Sequence, residues 1–159
     1  MKLGKRDLGM INSELIVIPR GQGEDIVLKM EAVQNFDEFD TILTEPEPPY
    51  VTLADGTKTR DIVDKDYLEN LGQFNARRMH YMTIKGLENN EELSWDRVKI
   101  EEPDTWKEWT EEFREANFSE VEIRLVLNAM HKANCLDEDY VEEARMRFLQ
   151  KQAMQKVKE

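Results

Sequence analysis

The side chains best suited to act as nucleophile, base or metal ligand are few: His80, His131 and the single cysteine, Cys135. His131 and Cys135 stand four residues apart, as two metal ligands on one helix face would, but no second ligand pair follows at a recognisable interval. The acidic run Asp137-Glu138-Asp139, with Glu142 and Glu143, lacks the mid-loop glycine and alternating oxygen ligands of a calcium loop. Helix capping and solvation account for it better. Arg20-Gly21-Gln22-Gly23 lies between two strand-like runs and is followed by no Lys-Ser or Lys-Thr, so it does not match a phosphate-binding loop. Carboxylates are so abundant that no pair stands out as a glycosidase-like acid and base. Catalysis needs a nucleophile, a base and an electrostatic stabiliser to converge. The sequence singles out no catalytic, cofactor-binding or metal-binding residue, and a non-enzymatic protein is expected.

Composition narrows the field further. Among 159 residues, 34 acidic side chains against 22 basic ones give a formal charge of −12. That charge opposes binding to a phosphate backbone, so direct nucleic-acid binding is not expected. One cysteine cannot form an internal disulfide, and Met1-Lys2-Leu3-Gly4-Lys5-Arg6 lacks the apolar run of a leader or a membrane span. A soluble intracellular protein without membrane contacts is the expectation. The length suits one domain, or a small domain with an appendage.

The elements that must position these residues fall into two styles. Glu14-Leu15-Ile16-Val17-Ile18 and Ile26-Val27-Leu28-Lys29-Met30 are β-branched apolar runs joined by a Pro- and Gly-containing turn, which predicts a hairpin. Residues 35–40 suit a single helical turn, and Glu45-Pro46-Glu47-Pro48-Pro49 must be extended. Tyr50-Val51-Thr52-Leu53 and Thr57-Lys58-Thr59-Arg60, joined through Asp55-Gly56, predict a second hairpin. From Asp64 or Asp66 as cap, Tyr67, Leu68, Leu71, Phe74, Ala76, Met79 and Met82 carry a helical period to a stop at Gly86, with Gly72 an unfavourable interior residue. Residues 93–100 alternate like a short strand or extended arm.

Three helices complete the chain. Thr105 and Glu108 have capping-box spacing ahead of Trp106, Trp109, Phe113 and Ala116, and Asn117 ends that helix. Ser119 and Glu122 form a second capping box, with Phe118 and Ile123 at hydrophobic-staple spacing, and this helix runs to Asn134. Asp137 or Asp139 caps a third helix carrying Val141, Ala144, Phe148 and Leu149. The expected fold class is α+β: a β-hairpin-rich portion over residues 1–63, then a helical module over 64–159, forming a single compact unit.

Charge is polarised near the end of the chain. Residues 87–143 hold 18 acidic and 6 basic side chains, whereas residues 144–159 hold 5 basic and 1 acidic. The helix dipole favours such a distribution, and a partner-binding tail would use it. Helical spacing of Trp106, Trp109 and Phe113 suits a core first and an interface anchor second. Met79, Met82, Met130, Met146 and Met154 supply flexible thioethers that accommodate irregular or changing contacts. The interface candidates are Trp106, Trp109, Phe113, Met130, Phe148 and Met154.

The segments Pro103-Asp104-Thr105-Trp106-Lys107-Glu108-Trp109, Ala116-Asn117-Phe118-Ser119-Glu120-Val121-Glu122, Ala133-Asn134-Cys135-Leu136-Asp137-Glu138 and Glu143-Ala144-Arg145-Met146-Arg147-Phe148-Leu149 together resemble small tail-region proteins of tailed bacteriophages, in particular a tail assembly chaperone. The resemblance covers roughly residues 95–150 and is a pattern of helix starts and aromatics. It implies a non-enzymatic protein of virion morphogenesis that binds the tape-measure protein, with the tail-tube protein a further candidate partner, in the host cytoplasm. A permanent tail or connector component is the alternative, and an acidic DNA mimic that inhibits a nuclease is a third reading, motivated by the −12 charge. Charge reversal at Lys151, Lys156 and Lys158 is expected to weaken partner binding without lowering the melting temperature; unchanged affinity in a titration would remove the tail from the contact.

Overall fold

A computed structural model describes residues 2–3, 6–7, 11–21 and 24–156. Gln22 and Gly23 of the glycine-containing turn, the side chain of Lys156, and Lys158 lie outside the described residues. The fold is α+β, with three antiparallel strand pairs and five α-helices among those residues. Its division into units differs from a boundary at residue 63. One unit joins Met1–Ala32 to Ser119–Glu159, and the other is the intervening Val33–Phe118.

The first unit opens with two two-residue strands, β1 (Lys2–Leu3) and β2 (Arg6–Asp7). The hairpin of β3 (Ser13–Ile18) and β4 (Ile26–Glu31) follows, paired from Ser13 opposite Glu31 to Ile18 opposite Ile26. Side chains alternate across a strand, so this register sends Ile16, Ile18, Leu28 and Met30 to one face and Leu15, Val17, Val27 and Lys29 to the other. A two-stranded hairpin is marginal in water unless something covers a face. The covering element is α4 (Glu120–Ala133), which packs on both strands and buries Ile123, Val126, Ala129, Met130 and Ala133. Each such side chain contributes about 1.5–3 kcal/mol when fully buried, alanine less.

Both ends of α4 are satisfied locally. Ser119 and Glu122 form the capping box expected from sequence. The Glu122 carboxylate also pairs with Arg20 at the exit of β3. Arg20 first, and then the Ser119 backbone N–H, hold the Glu122 carboxyl at a pKa of about 2. At the other end Cys135 takes a left-handed φ of 56°. Its N–H donates to the Lys132 carbonyl at 3.1 Å and the Leu136 N–H to the His131 carbonyl at 2.8 Å, the bond pattern of a Schellman stop. Asn12 adds its side-chain amide to the carbonyls of Lys132 and Ala133, at 3.2 and 2.8 Å. Asp137 accepts from the Tyr140 N–H at 3.0 Å, and α5 (Glu138–Lys156) begins there.

The second unit holds α1 (Asp37–Ile42), the hairpin of β5 (Tyr50–Thr52) and β6 (Lys58–Arg60), α2 (Lys65–Leu87), a 3-10 helix (Pro103–Glu108) and α3 (Trp109–Glu115). Asp64 caps α2 through the Tyr67 N–H at 2.8 Å, and the helix runs one residue past Gly86, which is buried. The core is aromatic: Phe39, Phe74, Tyr81 and Trp106 cluster with ring centroids 5.2–5.9 Å apart. A second set, Trp95, Trp109, Phe113 and Phe118, converges on Phe113. The β5–β6 hairpin is exposed throughout, turns at Gly56 with φ 83°, and is braced by Arg60, which stacks on Tyr50 and pairs with Glu47 at 2.8 Å.

Two local expectations change. Residues 93–100 form turns and bends, with no strand. The N–H groups of Asp96, Arg97 and Val98 find their acceptors on the Glu112 carboxylate, at 2.8, 2.9 and 3.1 Å, so one α3 side chain replaces a strand partner. Thr105 makes no capping box with Glu108, because its hydroxyl instead accepts from the Lys99 N–H at 3.0 Å and donates to the Glu102 carbonyl at 2.7 Å. Asn117 does end α3, at φ 64° and with the same Schellman pattern. Removing the Glu112 acceptors leaves three loop donors to water, so Glu112→Ala should lower unfolding stability by about 1–3 kcal/mol, with Glu112→Gln in between; denaturant titration followed by Trp fluorescence measures both.

Candidate interaction surface

The groups able to do chemistry are already engaged in the structure or stand apart. His80 and Trp109 belong to the second unit, where the indole N–H donates to His80 Nδ1 at 3.0 Å. That bond requires an unprotonated Nδ1. Burial first, and the Lys107 ammonium second, push the His80 pKa below its usual 6.5 and favour that neutral form. His131 lies half-buried on α4, and Cys135 is exposed in the turn that follows, both in the first unit. Among the described residues, no group of three or more His, Cys, Asp or Glu side chains is placed to hold a metal ion.

The interface candidates divide sharply. Trp106, Trp109 and Met130 are 0% exposed and Phe113 is 4% exposed. Trp106 donates its indole N–H to the carbonyls of Lys99 and Ile100, both at 3.1 Å, and stacks within the aromatic cluster. These four residues are core of this chain and present no surface to a partner. Helical spacing could not tell the two roles apart, because the same stripe serves whichever element lies opposite. Phe148 and Met154, by contrast, are 58% and 68% exposed on α5.

The surface that sequence reasoning only partly found is in the first unit. Every described side chain of α5 from Val141 onward is exposed, Met146 and Leu149 included. Lys151 is among them. Leu15, Val17 and Val27 form the outer face of the β3–β4 hairpin and are more than half exposed. Their alternation with Ile16, Ile18 and Leu28 was the available signal, since a strand run apolar at every position needs cover on both faces. Tyr81 illustrates the opposite case in the second unit. Its buried ring ends in a hydroxyl that donates to Glu38 at 2.8 Å, and burial first, then that bond, raise its pKa.

Comparison of the chain with protein-family models, with curated proteins and with solved structures finds no match. No helix among the described residues is long and apolar enough to cross a membrane.

Because the folded-state pKa of His80 is depressed, its contribution to stability is complete above the unfolded value near 6.5 and is lost as pH falls toward the folded value. Melting temperature should therefore decline as pH falls below about 6.5. His80→Asn, which keeps a neutral acceptor at the δ position, should flatten that decline; an unchanged slope in the variant would separate the imidazole from the acid sensitivity.

Proposed function

We propose that this chain is a non-enzymatic assembly chaperone of a tailed bacteriophage, holding the tape-measure protein in the host cytoplasm until tail-tube subunits polymerise around it. The observation that carries the reading is α5, a 19-residue helix whose described apolar side chains, among them Val141, Met146, Phe148, Leu149 and Met154, are open to solvent. Helices in proteins draw most of their stability from packing an apolar face, which α5 from Val141 onward does not do, and several large apolar side chains exposed along one element support a protein contact. Met146 and Met154 supply adaptable thioethers, as transient binding to an irregular helical client requires. The outer hairpin face adds a second apolar surface on the same unit. The resemblance of residues 95–150 to tail-region proteins supplies the client class.

A tagged pull-down from phage-infected cells, with mass spectrometry of bound proteins and of purified particles, tests this reading. Recovery of the tape-measure protein together with absence from particles is the expected result. Stoichiometric presence in particles would instead make the chain a virion component.

A further inference from the structure

We propose that Met146 and Met154 of α5 form a modification site, at which a peroxide converts surface thioethers to sulfoxides while the methionines of the core stay reduced. Met30 and Met130 are buried in the first unit, Met82 is buried in the second, and Met79 is half-buried. Met146 and Met154 are 47% and 68% exposed. Among the methionines whose side chains are described, these two alone are open to solvent. Gln150 stands four residues after Met146 and four before Met154, so the three form one row along the helix, and Gln150 is exposed as well. The inference goes beyond the chaperone reading and does not depend on it.

The step is a two-electron oxidation. The thioether sulfur attacks one oxygen of a hydroperoxide, an S–O bond forms as the O–O bond breaks, and the reduced peroxide leaves as water or an alcohol. The product replaces a flexible apolar side chain with a polar, chiral one. Gln150 stands one turn from each sulfur and offers carboxamide N–H donors to the new oxygen, so the oxidised row needs no rearrangement of the helix. A sulfur in the core of β3, β4 and α4 is reached only when that unit opens, which costs a large share of the folding free energy. That sets the order of reaction, with α5 first and the core last. At about 100° per residue, Phe148 lies on the far side of the helix from Met146, so the loss of apolar character is confined to one side of α5. Adaptability accounts for thioethers on a contact surface, and the same placement makes that surface sensitive to oxidant.

The test titrates the purified full chain with hydrogen peroxide, after alkylation of the exposed Cys135 so that its thiol does not compete, and maps the products by peptide mass spectrometry. Met146 and Met154 should each gain one oxygen at least about tenfold faster than Met30, Met82 and Met130, with the helical circular-dichroism signal retained. Retention on a hydrophobic-interaction column should fall on oxidation and recover after treatment with the two methionine sulfoxide reductases, one for each epimer. A chain carrying Met146→Leu and Met154→Leu, given the same peroxide, should keep its retention. Core and α5 methionines oxidised at equal rates, or Met146 and Met154 left unoxidised, would overturn the proposal. So would unchanged retention of the oxidised chain, a fall that the reductases do not reverse, or an equal fall in the double variant. Loss of the helical signal would place the change in unfolding and overturn it too.

Discussion

The packing of α4 on the β3–β4 hairpin is the constraint on which the first unit depends. Neither partner is stable alone: the hairpin has two strands and α4 has fourteen residues. Together they remove Ile16, Ile18, Leu28 and Met30 from water against Ile123, Val126 and Met130. Arg20 and Glu122 fix where the helix begins relative to the hairpin, and Asn12 fixes where it ends. Glu122 thus serves two purposes with one carboxylate, capping its own helix and meeting the cation from the strand. Its depressed pKa keeps it ionised through the whole range in which the protein would work.

The second unit solves a different problem by different means. Its helices are joined by irregular backbone, which must find hydrogen-bond partners wherever a ladder is lacking. Glu112, Thr105 and the Trp106 indole supply them to residues 96–102. The aromatic core gives this backbone a rigid support, since rings in edge and tilted contact have few ways to rearrange. His80 is drawn into the same framework as an acceptor for Trp109, a structural use of a residue type more often associated with proton transfer.

Local signals were readable in the sequence and distant ones were not. Ser119 with Glu122, Asp64 ahead of α2, and Asp137 ahead of α5 announce helix starts because the bonds they make span three residues. Thr105 with Glu108 shows the same spacing and fails, because Lys99 and Glu102 compete for the hydroxyl and the proline at Pro103 starts a tighter helix. The change from strands to helices near residue 64 is real, but it marks local structure and says nothing about which segments share a core. Hairpin and α4 share one across a gap no periodicity can register. For the same reason the buried Trp106, Trp109, Phe113 and Met130 were indistinguishable from the exposed Phe148 and Met154 until the opposing elements were in place.

The order of these segments along the chain also sets a timetable for biogenesis. The β3–β4 hairpin leaves the ribosome first, yet the helix that shields its apolar inner face is encoded beyond Phe118, with the whole of Val33–Phe118 between them. At about 5–20 residues per second, translation takes roughly 5–20 s to deliver α4 after the hairpin. The intervening unit is complete before the surrounding one can close, so the nascent hairpin spends that interval as an uncovered strand pair. Slow codons or a stalled ribosome in this stretch would lengthen its exposure to neighbouring nascent chains.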